Sequence, residues 1–199
     1  IPALPGNSLL MTANGAWTWF NDERAIFHQG SLFIGYVRNN GQYGVTRYNP
    51  ATNESSDMII STATSQQQDD HNNPSITVLP DGKLMALYAK HLGGSQFYQR
   101  TSLVPLPTTN ADWGPEIVRP LSANNTYNNT YMLSGESNRI YNFHRGVGFN
   151  PNYLVSTDDG VTFVYGGRLL QWPRPIGDPR FTGLSGGRPY VKYAQAGDD

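Results

Sequence analysis

The chain has 199 residues and a formal net charge of −1 at pH 7, from 14 lysine and arginine residues against 15 aspartate and glutamate residues. This balance offers no basic surface for nucleic acid, and no apolar run reaches the roughly 18 residues of a membrane-spanning helix. The sequence contains no cysteine, which excludes disulfides, thiol catalysis and cysteine-ligated zinc.

Short strands separated by turns are predicted from the start of the chain. Aromatic residues make up 12% of the sequence, and 21 glycines and 14 prolines interrupt it, a composition that favours strands and turns. No window keeps the apolar spacing of an amphipathic helix over successive turns. A first group of strands is predicted over residues 25–28, 31–37, 42–48 and 57–61, with a hairpin turn at Gln29-Gly30.

The same arrangement recurs along the chain. Strands over 75–79 and 83–89 flank the turn Pro80-Asp81-Gly82, which is a strong hairpin signal. A third copy comprises residues 131–133, 139–144, 153–156 and 162–165, and a fourth begins near 188–193. Four short strands in each period of about 40–50 residues are typical of β-propeller blades. A β-sandwich, which also has many short strands, is the alternative.

A local motif in the third copy favours the propeller. Residues 156–163 read STDDGVTF and fit the Asp-box pattern S/T-x-D-x-G-x-T-F/W at every position. We expect the Asp158 carboxylate to accept backbone hydrogen bonds within the turn, Gly160 to adopt a positive φ, and Phe163 to pack beneath. The motif stabilises a hairpin between outer strands and predicts a fold more than a chemistry.

The number of blades has a consequence for the whole protein. About three and a half four-stranded antiparallel blades are predicted in residues 1–199, whereas a propeller needs about four to eight. An open fan would leave unpaired strand edges. We therefore expect a single partial all-β propeller domain over 1–199, completed by blades from the rest of a longer protein or from another chain.

Polar residues cluster where the second copy begins. The segment 69–75, DDHNNPS, precedes a strand of the inner type, and the start of an innermost strand faces the central channel of a propeller. Aspartate and asparagine flank His71 and can fix its tautomer, and Asn73 is a candidate substrate-binding residue. His91 follows the next strand and precedes Gly93-Gly94, where the backbone can approach a ligand closely. Strand pairing alone does not bring His91 to His71.

Comparable positions precede the third and fourth copies. Tyr127 occupies the loop before the third copy, and Arg188 and Tyr190 lie at the start of the fourth. Arg145 ends an aromatic strand, where a guanidinium can hold a carboxylate through two hydrogen bonds; a surface ion pair is the alternative. His144 points to the opposite face from Arg145 if the strand is regular.

Four stretches of the sequence resemble BNR-repeat propellers. They are residues 15–25 (GAWTWFNDERA), 70–75 (DHNNPS), 141–146 (YNFHRG) and 188–193 (RPYVKY). The chain is most similar to the family that contains the propeller ulvan lyases, which are seven-bladed, secreted enzymes acting on a sulfated algal polysaccharide. The resemblance implies seven blades in the complete protein and a secreted, extracellular or periplasmic location. It also implies an anionic polysaccharide as substrate, with neither nucleic acid nor a membrane as partner.

The resemblance also implies roles for individual residues. In the family, two histidines, a tyrosine, an arginine and a further tyrosine line the site, and the matching residues here are His71, His91, Tyr127, Arg145 and Tyr190. Tyr131 is an alternative to Tyr127. Asn73 and Arg188 are assigned with Tyr190 to substrate binding.

The implied reaction is β-elimination at a uronic acid, which leaves a 4,5-unsaturated uronate end. Arg145 would neutralise the uronate carboxylate so that the C5 proton can be removed. His71 and Tyr127 are the candidates for base and acid, in an order left open, and His91 would position or neutralise the carboxylate. No cofactor is expected, and no cluster of metal ligands is recognisable in the sequence.

Two other functions fit the same fold. A sialidase or other glycoside hydrolase would need carboxylates at the site, and glutamate is scarce: Glu23, Glu54, Glu116 and Glu136. A non-catalytic glycan-binding propeller would use aromatic platforms and would not need His71, His91 and Arg145 together.

Overall fold

The computed structural model describes residues 10–16, 18, 21, 24–170 and 189–196, which form three four-stranded antiparallel sheets. The first sheet contains β1 (Ala25–His28), β2 (Ser31–Val37), β3 (Tyr43–Asn49) and β4 (Glu54–Ile59). The second contains β5 (Ser75–Val78), β6 (Leu84–Tyr88), β7 (Gln96–Thr101) and β8 (Ile117–Pro120). The third contains β9 (Thr126–Leu133), β10 (Arg139–Arg145), β11 (Pro151–Ser156) and β12 (Val164–Arg168).

Short 3₁₀ turns join some of these strands. They span Asp70–Asn72, Asn110–Asp112, Ser134–Glu136 and Val147–Phe149. No helix in the described part of the chain is long and apolar enough to cross a membrane.

Each sheet is one propeller blade whose strands keep their order along the chain. Left-handed backbone at Gln29 and Gly30 (φ 44° and 77°) and at Gly82 (φ 82°) closes the first hairpins of blades one and two. The first strands, β1, β5 and β9, border a common central hollow of about 560 Å³. The predicted all-β propeller of four-stranded blades is confirmed, and the β-sandwich alternative is wrong.

The strands differ from the prediction in all three blades: β4 begins three residues before the predicted 57–61, and β7 was not predicted. The outer strand β8 was not predicted, because Ile117 and Val118 are exposed and have no buried face that would produce an alternating pattern. Strand β9 begins at Thr126, five residues before the predicted start at Tyr131, so Tyr127 lies in a strand and not in a loop. Residues 189–196, at the fourth copy, contain no strand. They run beside β9, where the Tyr193 carbonyl accepts a hydrogen bond of 3.0 Å from the Tyr131 hydroxyl.

Apolar side chains from facing blades form two cores. Between blades one and two, fully buried Phe33, Val45 and Met58 belong to one cluster with Leu84 and Tyr88. Between blades two and three, the cluster is Leu79, Met85, Leu87, Ala89, Phe97, Ile140 and Leu154. Burying each large side chain contributes about 1.5–3 kcal/mol, so the blades hold one another and thereby set the loops at their inner ends.

The turn between β11 and β12 links blade three to blade two. The Asp158 carboxylate accepts hydrogen bonds from Thr162 N (2.8 Å) and Thr162 Oγ1 (2.6 Å), which lower the pKa of Asp158 to about 2. Gly160 has φ 82°, and its carbonyl accepts from Gln99 Nε2 of β7 at 3.0 Å. The Phe163 ring meets Phe97 edge-on at 5.4 Å. These contacts agree with the expected geometry of the turn and show that it also fastens two blades together.

Candidate active site

The 3₁₀ turn before β5 fixes the position of His71. Asp69 is the N-cap of this turn, with extended backbone, and its Oδ1 accepts a hydrogen bond of 2.9 Å from the His71 backbone N–H. The same Oδ1 lies 2.5 Å from His71 Nδ1. The Asn21 side chain donates to the carbonyl of Asp70 at 3.1 Å. One carboxylate therefore caps the turn and orients the imidazole ring.

His91 is held in place by the side chain of Gln67. Gln67 Oε1 accepts from the His91 backbone N–H at 2.6 Å, and Gln67 Nε2 donates to the His91 carbonyl at 3.1 Å. Gln67 Oε1 also accepts from Asn72 Nδ2 at 2.9 Å. This amide connects the turn that carries His71 to the loop that carries His91.

Both histidines share the carboxylate of Asp69. His91 Nδ1 lies 2.9 Å from Asp69 Oδ2, while His71 Nδ1 is bound to Oδ1. The two imidazole rings stack with centroids 3.8 Å apart and planes 8° from parallel. A carboxylate accepts hydrogen bonds only, so it favours the tautomer with the proton on Nδ1 in each ring and the lone pair on Nε2. The structure thus brings together two histidines whose proximity strand pairing did not require.

Asp69, His71 and His91 also form the group of described residues whose ligand atoms lie close enough for a metal ion, all within 4.8 Å. A metal bound to two histidines lies near both ring planes, along the nitrogen lone pairs. Rings that are stacked only 8° from parallel direct their lone pairs side by side and not towards one point. This ring arrangement suits two hydrogen bonds to a carboxylate better than it suits a bound metal ion.

The electrostatics keep this group in a defined charge state. Burial raises the pKa of Asp69, but hydrogen bonds from the His71 backbone and the His91 ring outweigh burial, so the pKa lies below its ordinary value. Burial lowers the pKa of His91 and outweighs the opposing hydrogen bond to Asp69, while the charges of His71 and Arg145 lower it further. The carboxylate is therefore ionised and His91 neutral near pH 7.

Tyr127 and Arg145 border the histidine pair on blade three. The Tyr127 ring lies 5.2 Å from the His71 ring, 22° from parallel. Arg145 Cζ sits 4.7 Å above the Tyr127 ring centroid, and Arg145 Nη1 donates to Tyr127 Oη at 3.4 Å. Burial raises the pKa of Tyr127 well above its ordinary value, and the positive charge of Arg145 offsets only part of that rise. Tyr127 therefore keeps its proton.

Arg145 is a buried cation without a carboxylate partner among the described residues. Its relative exposure is 7%, and its Nη2 is buried with no hydrogen-bond acceptor in the described part of the chain. The ring of Phe149 lies on its other side, 5.8 Å from Cζ. A buried unpaired charge costs several kcal/mol, so an anionic ligand would complement Arg145, and the alternative of a surface ion pair does not fit its 7% exposure.

The other residues considered from the sequence occupy different places. Tyr190 borders a small cavity together with Tyr127, His144 and Arg145. His144 and Arg145 both face this cavity because β10 bulges between Phe143 and Arg145, so the expectation of opposite faces for a regular strand does not hold. Asn73 ends the 3₁₀ turn and is 2% exposed, which leaves its side chain in the interior.

Arg188, predicted to bind substrate, lies outside the described residues. Tyr131, the alternative to Tyr127, points its hydroxyl to the carbonyl of Tyr193 and has its ring against Phe143 at 6.1 Å. The geometry groups Tyr127, and not Tyr131, with the histidine pair.

Sequence reasoning missed Asp69 and Gln67 as parts of this site. From the sequence, Asp69 is predicted only to be a polar neighbour of His71, and Gln67, in the glutamine run 66–68, carries no signal of a role. The one signal available was the N-cap position of Asp69, two residues before a histidine. Its second contact, to His91, joins residues 22 apart in sequence and depends on the packing of loops.

Comparisons with known proteins agree with this architecture. Residues 31–199 match the family described as BNR repeat-containing family member, and no curated protein matches the chain. A solved polysaccharide lyase, the PL25 ulvan lyase, superimposes with a TM-score of 0.68 at 18% identity. A second structure of that lyase, bound to -[GlcA(1-4)Rha3S]-, gives 0.69 at 18% identity. Both comparisons cover 84% of this chain and 42% of the lyase, so the chain spans less than half of those proteins. At this identity the likeness establishes the fold.

Proposed function

The chain belongs to the BNR repeat-containing family, and from that premise we propose that it carries the active site of a polysaccharide lyase. The substrate is a uronic-acid-containing, ulvan-like polymer, which is cleaved by β-elimination. The observation that carries this proposal is the meeting of a buried, unpaired Arg145 with Tyr127 and with two histidines held by one carboxylate. The solved lyase with a bound uronate-containing fragment supports the choice of substrate class.

Arg145 binds and neutralises the uronate carboxylate. The C5 proton of a uronate is weakly acidic while the adjacent carboxylate is charged, because removal of that proton adds further negative charge. A guanidinium presents paired donors to a carboxylate. Arg145 is only 7% exposed, so water does not compete with the carboxylate for these donors. The positive charge therefore stabilises the enolate-like transition state more than the ground state.

His71 is the base and Tyr127 the acid in this proposal. The proton on Nδ1 of His71, directed to Asp69, leaves the lone pair on Nε2 to take the C5 proton. The electrons of the C5–H bond form the C4=C5 double bond, the C4–O4 bond breaks, and O4 takes the proton of Tyr127. The raised pKa keeps Tyr127 protonated, so that it holds a proton for O4, and makes tyrosinate a poor candidate for the base.

The cycle closes without a cofactor. After product release, His71 gives its extra proton to water and Tyr127 regains a proton from water, which restores both groups. His91 keeps the Asp69 carboxylate in place and stays neutral near the uronate. Because the substrate is a polymer that cells do not take up intact, the proposal includes a secreted or periplasmic location.

Carboxylate positions favour elimination over hydrolysis. A glycoside hydrolase needs two carboxyl groups flanking the scissile bond. Glu116 is occupied between blades one and two, where it accepts from Thr62, Ser65 and Tyr88. Asp69 is engaged by both histidines, and Asp70 lies 3.0 Å from Nδ1 of His71, so these are the carboxylates that the described residues place beside the histidine pair.

The test follows the ultraviolet absorbance of the unsaturated uronate and, in parallel, the release of reducing ends. The protein is incubated with ulvan and with glucuronan, beside His71→Ala, Arg145→Ala and a control, His28→Ala. His28 is bound to the Gly82 carbonyl at 2.9 Å, on the hairpin side of blade one. We expect absorbance to rise with the wild type and the control only. Reducing ends without absorbance would replace elimination by hydrolysis, and polymer binding without either product would indicate a binding protein.

A further inference from the structure

The backbone of His91 pairs with a side chain and not with a neighbouring strand. Gln67 Oε1 accepts from the His91 N–H at 2.6 Å, and Gln67 Nε2 donates to the His91 carbonyl at 3.1 Å. A side-chain amide carries an acceptor oxygen and an N–H donor, as a peptide unit does. Gln67 therefore binds His91 as the backbone of an adjacent strand would, three residues after β6 has ended at Tyr88.

The same amide reaches the turn that carries His71. Gln67 Oε1 also accepts from Asn72 Nδ2 at 2.9 Å. Asn72 is 1% exposed and ends the 3₁₀ turn Asp70–Asn72, so its side chain is a buried part of that turn. One oxygen thus binds both the loop of His91 and the turn of His71, and these two segments carry the rings that stack 3.8 Å apart.

Gln67 lies in a connector that is fastened to two blades. The connector, residues 60–69, runs from the end of β4 to the 3₁₀ turn. Near its start, Glu116 of blade two accepts hydrogen bonds from Thr62 N (3.2 Å) and Thr62 Oγ1 (2.6 Å). Near its end, the Gln67 backbone N–H donates to the Gly41 carbonyl of blade one at 3.1 Å. Because the connector is held on both sides, the Gln67 amide starts from a fixed point.

We propose that Gln67 is a positioning residue, which sets the separation of the two imidazole rings and thereby the orientation of the carboxylate that they share. This inference rests on the proposed function, in which His71 removes the C5 proton. A shift of His91 would take one imidazole partner from Asp69, and the carboxylate would no longer be held in line with His71. Misplacing a reacting group by about 1 Å lowers a rate by up to about 10²-fold, whereas Arg145 would still bind the uronate.

The first variant is Gln67→Met, with Gln66→Met as its matched control. Methionine has an unbranched side chain of the same length and offers at most a weak acceptor. Gln66 is half-buried, and its side chain makes no hydrogen bond in the described part of the chain. We expect Gln67→Met to lower kcat on a uronate polymer by about 10- to 100-fold with KM within about twofold, and Gln66→Met to retain both values.

Nuclear magnetic resonance follows the rings directly. The sequence has four histidines, so protein with labelled imidazoles gives four ring signals, which single substitutions assign. The wild type and Gln66→Met should show a nuclear Overhauser effect between the rings of His71 and His91, whose centroids lie 3.8 Å apart. Gln67→Met should lose this effect while its circular dichroism stays that of the folded protein.

The pKa of His91 is a second spectroscopic readout. Burial lowers this pKa, the hydrogen bond to Asp69 opposes burial, and the charges of His71 and Arg145 lower the pKa further. A ring released from its buried place loses all of these influences together. In Gln67→Met, the pKa of His91 should therefore rise towards its ordinary value.

Gln67→Glu is the second variant, and it serves if Gln67→Met does not fold. Glutamate keeps the size of glutamine and can accept from the His91 N–H, but as a carboxylate it cannot donate to the His91 carbonyl. We expect a weaker Overhauser effect between the two rings and a kcat about tenfold below that of the wild type.

The readouts separate this proposal from the lyase proposal. The positioning role is wrong if both Gln67 variants keep the ring contact, or if Gln66→Met loses it as well. A lost ring contact with unchanged kcat also rejects the role, because the ring pair would then not govern the rate. If no uronate polymer yields an unsaturated product with the wild type, the lyase proposal fails, and the ring contact in Gln67→Met alone decides whether Gln67 positions the pair.

Discussion

Replacing Asp69 by asparagine tests the idea that one carboxylate holds the proton of both histidines on Nδ1. Asp69 Oδ1 and Oδ2 lie 2.5 Å and 2.9 Å from Nδ1 of His71 and His91. Asparagine keeps one oxygen but replaces the other by an NH₂ donor. The amide oxygen keeps the Oδ1 position, where it accepts from both the backbone N–H and Nδ1 of His71, so the NH₂ faces His91. His91 must then accept at Nδ1 and carry its proton on Nε2.

The magnitude follows from the negative charge that is lost, because the imidazolium that His71 forms on taking the C5 proton loses the nearest carboxylate at its Nδ1. General acid–base catalysis contributes about 10²- to 10⁴-fold, which bounds the loss. We expect Asp69→Asn to lower kcat by about 10²- to 10⁴-fold, or roughly 3–5 kcal/mol. KM should change little, because Arg145 and not Asp69 binds the uronate carboxylate.

The assay is the ultraviolet rate with a uronate polymer across pH, with Asp70→Asn as the matched control. Asp70 Oδ1 lies 3.0 Å from His71 Nδ1, but Asp70 has no hydrogen bond to His91 in the described part of the chain, and its side chain is more exposed, at 49% against 24% for Asp69. Its variant should stay within about threefold of the wild type. The Asp69 hydrogen bond raises the pKa of His91, so its loss should move that pKa further down. Wild-type kcat in Asp69→Asn, or equal losses in both variants, would refute the shared-carboxylate reasoning.

Three further changes test the site and its support. Arg145→Lys loses the paired donors and should lower kcat/KM about 100-fold, read from initial rates. His144 is 5% exposed, and burial lowers its pKa to about 4 from 6.5. The free energy of unfolding should therefore be highest above pH 6.5 and fall by about 3 kcal/mol as the pH drops towards 4. In urea unfolding, His144→Gln should show a smaller decline over this pH range. Gly35→Ala places a Cβ 2.4 Å from the Pro74 carbonyl oxygen, which should cost about 1–3 kcal/mol of unfolding free energy.

Each of these expectations has an outcome that contradicts it. Full activity of Arg145→Lys would mean that one positive charge suffices without the paired donors of a guanidinium. A wild-type pH decline that persists in His144→Gln would assign the decline to other groups. If Gly35→Ala unfolds at the same denaturant concentration as the wild type, blades one and two accommodate the added Cβ at this contact without loss of unfolding free energy.

Local chemistry was enough to predict the blades. Glycine and asparagine at turns, with alternating apolar residues between them, specify hairpins because each hairpin forms from neighbouring residues. Where this information is weak, the prediction failed: β8 has no buried face, and β9 starts early at a strained Tyr127. Placing His71 and Arg145 beside the centre of the fold followed from their positions at the ends of inner and neighbouring strands.

The composition of the site was decided by tertiary structure. Different loops meet where His71 stacks on His91 and where Asp69 makes its second hydrogen bond, to His91. Arg145 is likewise buried by packing, without a carboxylate partner among the described residues. Such contacts depend on how the two apolar cores set the angle between sheets, and the spacing of residues along the sequence does not determine that angle. The sequence by itself therefore determined which residues could do chemistry and the blade each belongs to, while packing between blades determined which of them meet.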